Sequence, residues 1–437
     1  MFDFISQFAG NIYEVVTTLP LHMLIILSFL MISVELPKYT LGFIVVMLTR
    51  PWRDYEHGRD VHELGKFSVI IAGHNEEDAI EKCVRSLDNQ TVSGFEIICV
   101  DDGSSDRTFE IMTRLEREGL IHRAVRLELR GGKASALNMA TRLATGDVFI
   151  ILDADSNLEV DAVETVLMPL FDPTIHAVSG TVLCGNPEAG WVAKCQAIEY
   201  AVGIPLGRTL LNLFDQLVMV SGAFGAFKRE AWEAVGGMDV GPGEDFDLCM
   251  RMRRMGYGIG FYHKSICYTD VPDQSWNLVR QRMRWERDAV WVRFRKLKAG
   301  LNPLSPVYRT KELWHNIEFM MLTVIPTFAM YIYLMYLMGT MQWIMIFTIL
   351  GFLAIYYMIN DVLCLCMSAI MLKRTDILKL IPWIPVMSSY NAFIMRGVRA
   401  YTFIDEWIFS RSMQDDFAPF KVQNWRVDST PGEFKQR

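Results

Sequence analysis

VFIILDAD, residues 148–155, is a short apolar run that ends in two aspartates separated by one alanine. A run of this length and composition reads as a buried strand whose carboxyl end carries polar groups. Three other stretches read the same way: FSVIIA (67–72), followed by the polar HNEE, then FEIICVDD (95–102) and VRLEL (125–129). Between them, AIEKCVRSLDNQ (79–90), RTFEIMTRLERE (107–118) and KASALNMATRLA (133–144) have helical periodicity. Strand and helix in alternation predict an α/β domain, a parallel sheet covered by helices. Ligands of such sheets bind beyond the carboxyl ends of the strands. Polar residues gather at those ends: His74-Asn75-Glu76, Asp101-Asp102-Gly103-Ser104 and Asp153-Ala154-Asp155. One such end is an ordinary turn or cap, but three on one sheet predict a site.

The rest of the chain is organised by hydropathy. Its 437 residues are 51% hydrophobic and 21% charged, with a net charge of −7. The acidic balance argues against nucleic acid as a partner, since phosphate backbones demand clustered positive charge. Residues 15–36 are long and apolar enough to span a bilayer, and they lack the basic start and small-residue cleavage site of a signal peptide. The apolar pattern resumes at 41–48 after Pro37, which leaves one broken helix and two short ones both open. Residues 317–339 and 341–359 read as two spans joined by an uncharged link, with Arg and Lys on the outer flanks. The positive-inside rule places those flanks, and the soluble domain joined to them, in the cytosol. The stretch 377–395, with Pro382 and Pro385, is open between a span, a re-entrant segment and an interfacial helix. The expected boundaries are 1–50 for the N-terminal transmembrane part, 51–272 for the cytosolic domain and 273–312 for amphipathic interfacial helices. Residues 313–396 follow as a C-terminal transmembrane region and 397–437 as an interfacial tail. Eight cysteines without a CxxC pair fit a reduced compartment.

Several residue patterns carry chemistry. No GxGxxG follows the first strand, and RGGKAS (130–135) lacks the spacing of a phosphate loop. Lys133 reads either as a surface lysine at a helix start or as a flexible point charge for a phosphate. Asp153 and Asp155 can aim oxygen ligands at Mg²⁺ or Mn²⁺, which take one or two carboxylates and fill the shell with water and substrate phosphate. Glu244-Asp245 opens the helix EDFDLCMRMRRM, where the macrodipole alone explains acids. The functional alternative is a general base.

Taken in order, HNEE, VDDGS, GGKASALN, LDAD, GED and QRMRW resemble the motifs of the processive, membrane-integrated family 2 glycosyltransferases over roughly residues 67–290. That group includes synthases of cellulose, hyaluronan, chitin oligosaccharides and poly-β-1,6-N-acetylglucosamine. The resemblance implies a Rossmann-like domain of the GT-A type, with a mixed, mostly parallel sheet, inserted between transmembrane and interfacial helices. It implies inverting transfer from a UDP-sugar to a growing β-linked polysaccharide at the cytosolic face of the plasma (bacterial inner) membrane, processive and coupled to export. The runner-up is transfer of one sugar to a lipid-linked acceptor. Implied partners are the UDP-sugar donor, a glycan acceptor, the bilayer and an export protein. Position by position, Asp101 and Asp102 resemble the uridine-binding carboxylates, and Lys133 a phosphate-contacting lysine. Asp153 and Asp155 resemble the metal pair, with Asp155 the direct ligand. Asp245 resembles the catalytic base, with Glu244 beside it. On a helix over 274–292, Gln281, Arg284 and Trp285 share one face, so that Arg284 grips the diphosphate and Trp285 with Gln281 meets the acceptor sugar. Arg280, Arg282 and Arg287 are expected to face solvent or lipid headgroups. SGAFGAF (221–227) matches the acceptor-side loop through Ser221 and Gly222. FKVQNW (420–425) departs from the F-x-V-T-x-K gating pattern, since it lacks the Thr and the Lys. UDP-N-acetylglucosamine is the preferred donor, ahead of UDP-glucose. A nucleotide-binding sensor and a transporter are the rivals from other classes; the former needs no base, and the latter calls for charges within the apolar runs.

Overall fold

A computed structural model describes residues 40–49, 59–305, 308 and 310–414, together with Gly10 and Thr17. Apart from Thr17, the apolar run at 15–36 lies outside the described residues, as does the FKVQNW tail. The expected strands form as β1 (Phe67–Gly73), β2 (Glu96–Asp101), β3 (Arg123–Arg126) and β4 (Val148–Asp153). Only the third is displaced. It starts before VRLEL and stops at Arg126, because Leu127 N donates to Asp101 O just where β2 ends. Four strands not read from the sequence complete the sheet: β5 (Ser156–Leu158), β6 (Ile175–Cys184), β7 (Phe224–Lys228) and β8 (Gly258–Thr269).

The strand order is β3-β2-β1-β4-β7-β6-β8-β5. Strands β1 to β4 run parallel, as do β6 and β8, whereas β7 is antiparallel to both neighbours and β5 to β8. The sheet is therefore mixed and mostly parallel, as the resemblance implied.

Its central strands are apolar on both faces because both faces are covered. Val69, Ile71, Ile97, Cys99, Ile150 and Leu152 enter one core with residues of α2 (Ile80–Asp88) and α3 (Thr108–Arg117). Ile70, Ile98, Val100, Phe149 and Ile151 enter the other with Ala136, Leu137 and Ala140 of α4 (Lys133–Leu143). Each such side chain contributes about 1.5–3 kcal/mol over an exposed one. An earlier short helix, α1 (Gly42–Thr49), packs Phe43 and Val46 against Leu206, Cys364 and Met371.

Further along, α5 (Trp191–Val202), α6 (Glu244–Arg254) and α7 (Ser275–Trp291) lead to three helices long and apolar enough to cross a membrane. These are α8 (Thr310–Thr340), α9 (Trp343–Leu372) and α10 (Asp376–Phe409). The 30 residues of α9 rise about 45 Å, more than a hydrocarbon core of about 30 Å. Both spans are longer than the apolar stretches that announced them. Asp361 consequently lies inside α9 and not at a span's end, and Ser388 of α10 donates to its carboxylate. The proline-bearing stretch is the first part of α10, where a 3₁₀ segment at Asp376–Trp383 contains Pro382. All eight cysteines are free, and six of them are buried.

The soluble domain is locked to α8 through one buried pair. Arg254 at the end of α6 donates to both carboxylate oxygens of Glu312, at 2.8 to 3.0 Å, and also to Leu297 O. Removing one member of a buried pair strands the other charge. Arg254→Ala is expected to cost about 3–5 kcal/mol, and Arg254→Met with Glu312→Gln clearly less. Unfolding of the detergent-solubilised variants checks this, and equal losses in the two would contradict it.

Candidate active site

Strand ends and one helix start bring acids together. β4 ends at Asp153, and Ala154 is buried so close under Gly73 that a Cβ there would lie 3.0 Å from the alanine methyl. Asp155 Oδ1 accepts from Thr269 Oγ1 at 3.3 Å and from Ser156 Oγ at 3.4 Å. Burial, and then the Asp153 charge, push Asp155 up to about 6. Glu76, in the loop after β1, is pushed to about 7 by burial and then by Asp155 and Asp153.

Lys133, the first residue of α4, donates to Asp153 Oδ1 and, at 3.0 Å, to Gly222 O. Burial pulls its ammonium down, but Asp153, Glu244 and Asp245 outweigh that and hold it above the usual lysine value. The loop that aims Lys133 is shaped by Asp102, whose two oxygens accept from Gly131 N at 2.7 Å and Gly132 N at 2.9 Å. A carboxylate has about four lone-pair sites, so Asp102 retains acceptor capacity. Burial still raises it, and those two bonds oppose the shift. Asp101 is fully buried, accepts from Ser104 N at 3.1 Å and lies 3.4 Å from Arg126 Nε.

The opposite wall is the first turn of α6. Gly243 precedes it at φ 64°, a backbone conformation that glycine adopts without strain. A Cβ on Gly222 would lie 3.2 Å from Asp245 Oδ2 and 3.2 Å from Lys133 Nζ. The SGAF loop thus separates the Asp245 carboxylate from the Lys133 ammonium by little more than a methyl group. Glu244 is raised by burial and by Asp245, while Lys133 and Arg284 lower it. Asp247, the third acid of the turn, is fully buried and paired to Arg251 at 2.8 Å and Lys296 at 2.9 Å, so its work is structural.

From α7, Arg284 acts on Glu244. The side chains of Asp288 and Val292 approach within 3.2 Å of a Cβ placed on Gly243, so this helix leans on the start of α6. Trp285 is 39% exposed. Gln281 Oε1 is buried and accepts no hydrogen bond among the described residues.

Two expectations need correction. Arg282 and Arg287 do not face solvent or lipid. Arg282 pairs with Glu199 at 3.0 Å and lies over the Trp285 ring at 4.6 Å, while Arg287 pairs with Asp405 at 2.8 Å. Both are consumed by acids from distant parts of the chain. Arg280 is on an exposed side and bonds Asn277 at 2.8 Å.

Three further groups were not singled out from the sequence. Arg208 donates to Ser179 Oγ, which also accepts from Ser221 N at 3.2 Å. Burial pulls it down to about 10, with Asp245 the first charge opposing that. Its signal was a lone arginine inside the apolar run GIPLGRTLL (203–211). Tyr200 and Glu199 close α5 against Arg282, and burial pushes the Tyr200 hydroxyl up to about 12.

Among the described residues, no three of His, Cys, Asp and Glu meet in a metal-holding geometry. The candidate donors are the pair Asp153 and Asp155, the latter raised by burial and then by the Asp153 charge. That set fits a hard cation that completes its shell with water and phosphate.

Residues 68–236 match the family model described as Glycosyl transferase family 2. A poly-β-1,6-N-acetyl-D-glucosamine synthase of Staphylococcus aureus (strain MSSA476) is 32% identical over 229 residues, covering 52% of this chain and 55% of the relative. A Staphylococcus epidermidis protein of the same name is 29% identical over 248 residues, 56% of this chain and 58% of its own. The match thus spans little more than half the length of these relatives. Among solved structures, a mannosyltransferase from Pyrobaculum calidifontis in complex with GDP-Man and Mn²⁺ superposes with a TM-score of 0.54 at 21% identity, over 84% of this chain and 99% of that one. That likeness is one of fold.

Gly222 supplies a local test. A methyl group there pushes the ends of two flexible side chains by a few tenths of an ångström and touches no backbone. Gly222→Ala is expected to lower catalytic turnover about tenfold, as small misplacements of reacting groups do, with the melting temperature nearly unchanged. Unaltered turnover would show that the Asp245–Lys133 spacing is not critical.

Proposed function

We propose that this chain, whose residues 68–236 form a family 2 glycosyltransferase domain, transfers a sugar from a UDP-sugar to the growing end of a β-linked polysaccharide, with inversion, at the cytosolic face of a membrane. The observation that carries the reading is the meeting of Asp153, Lys133 and Asp245 around Gly222. Arg284 acts on Glu244 beside them, and the Trp285 indole is exposed one residue further along α7. Three helices of membrane-crossing length, and the likeness to poly-β-1,6-N-acetyl-D-glucosamine synthases, support the membrane setting and favour UDP-N-acetylglucosamine as donor.

The residues divide the work as follows. Asp101 and Asp102, at the end of β2, face the uridine. Lys133 and Arg284 offer charge-assisted hydrogen bonds to the diphosphate, strongest as its negative charge develops. Asp155 and Asp153 would hold a Mg²⁺ or Mn²⁺, which would supply Lewis-acid neutralisation of the departing group. Asp245 accepts the proton of the acceptor hydroxyl as its oxygen attacks the anomeric carbon from the face opposite the leaving group. An α-linked donor then gives a β-linked product, by the geometry of inverting glycosidases with a sugar hydroxyl in place of water. Glu244, raised by burial and by Asp245, sits beside the proposed base. Ser221 and Gly222 line the acceptor side, and Gln281 Oε1 offers an unfilled acceptor to a sugar hydroxyl. The chain passes from there across the bilayer to an export partner.

The test is to give the purified protein each UDP-sugar with Mg²⁺ or Mn²⁺ and to measure UDP release, product size and linkage. A polymer or ladder is expected. A single glycolipid would move the reading to one-sugar transfer onto a lipid-linked acceptor. Asp245→Asn is expected to retain UDP binding and to lose a factor of roughly 10²–10⁴ in transfer. Near-normal synthesis by that variant would remove Asp245 from the role of base.

A further inference from the structure

We infer that Arg282, anchored by Glu199, is a positioning residue that locks the Trp285 indole in the orientation in which it meets the acceptor sugar. This rests on the transferase reading above. An exposed tryptophan on a helix is free to choose among rotamers unless something holds its ring. Here the Arg282 guanidinium lies over that ring, 4.6 Å from its centre. Arg282 is itself fixed: Nη2 lies 3.0 Å from Glu199 Oε2, the side chain is only 17% exposed, and the Tyr200 ring stands 6.0 Å away on the next residue of α5. One face of the indole is therefore occupied by a cation, so a sugar can stack only on the other face or on the edge.

The residue types fit this task. A guanidinium is planar, so it stacks on an aromatic face while its edge bonds a carboxylate, which a lysine ammonium cannot do at once. The clamp also lies near the donor side, because the Tyr200 ring beneath Arg282 stands within electrostatic reach of Asp155. Losing the clamp frees the indole without removing it. Acceptor binding then suffers, and a chain held less firmly between additions leaves sooner.

The experiment uses the full-length protein in detergent, with UDP-N-acetylglucosamine as donor and a β-1,6-linked N-acetylglucosamine pentasaccharide as acceptor. Arg282→Ala is expected to raise the acceptor KM about tenfold, the scale of a desolvated cation–π contact. The donor KM should stay within about twofold on the same scale, and products should shorten. Arg282→Lys should fall between the two. In a Trp285→Ala background, Arg282→Ala should add almost nothing, because the two residues act through one contact. If Arg282→Ala does not fold, Glu199→Gln, which leaves the guanidinium present but loosely anchored, should show the same preference for acceptor over donor KM.

Equal effects on both KM values, or a full additional loss in the Trp285→Ala background, would make Arg282 a mere bridge between α5 and α7 and overturn the inference. A wild-type protein that elongates no acceptor would instead overturn the transferase reading, and the inference with it.

Discussion

A shortage of positive charge governs the site. Glu76, Asp153, Asp155, Glu244 and Asp245 converge at the carboxyl edge of the sheet and the start of α6, and the cations that act on them there are Lys133, Arg284 and the buried Arg208. Helix N-termini offset part of the excess, since α4 and α6 both begin at this edge. Burial first, and then the mutual repulsion of these acids, raises two of the carboxyl groups toward neutrality, Asp155 to about 6 and Glu76 to about 7. A cation placed among these acids would relieve their mutual repulsion. Lys133 is the pivot, because one ammonium serves Asp153 on one wall and senses Glu244 and Asp245 on the other.

The same edge is mechanically joined to the apolar helices. Between α9 and α10, Arg374 donates to Glu159 Oε1 at 2.8 Å and to the Tyr268 hydroxyl, which itself donates to Glu159 at 2.5 Å. The residue after Tyr268 is Thr269, which pairs with Ser156 in the sheet and donates to Asp155. Two covalently adjacent residues of β8 thus connect a helix junction to the Asp155 carboxylate. Partly exposed ion pairs contribute only about 0–1 kcal/mol each. The packing of Leu365, Leu372 and Ile384 against Leu183 and Ile198 must therefore supply most of the adhesion, while the Arg374–Glu159 pair and the Tyr268 hydroxyl fix its register.

What could be read from the chain was local. Apolar runs ending in acids gave β1, β2 and β4, and helical periodicity placed α2, α3 and α4 to within a residue or two. The helix carrying Gln281, Arg284 and Trp285 was likewise legible, as were both clear spans. Strands β5 to β8 were not, because their pairings are remote: Ser156 lies opposite Thr269 and Ala177 opposite Phe227. No turn signal connects such partners. Arg208 was hidden for a related reason, since it starts a short helix and its hydrogen-bond partner Ser179 lies in the remote strand β6. Asp247 shows the converse difficulty. It stands two residues from Asp245 in the same acidic turn, and only burial against Arg251 and Lys296 separates a structural acid from a chemical one.

The helix α7 shows most clearly why composition misleads. A segment with four arginines in ten residues, VRQRMRWERD (279–288), suggests a surface turned to water or lipid headgroups, yet the chain as a whole carries −7. Helical spacing puts Gln281, Arg284, Trp285 and Asp288 on one side, with Glu286 and Arg287 displaced toward another. The first side leans on α6. The second is tied to α10 through Arg287–Asp405 at 2.8 Å and Glu286–Arg399 at 2.7 Å. Arg282, between them, goes to α5. Three of the four arginines are thus matched to acids contributed by three different helices, so the basic helix is the complement of its acidic surroundings. Such a helix cannot turn about its axis without breaking pairs on every side at once. That resistance keeps Trp285 and Arg284 at fixed positions relative to Asp245.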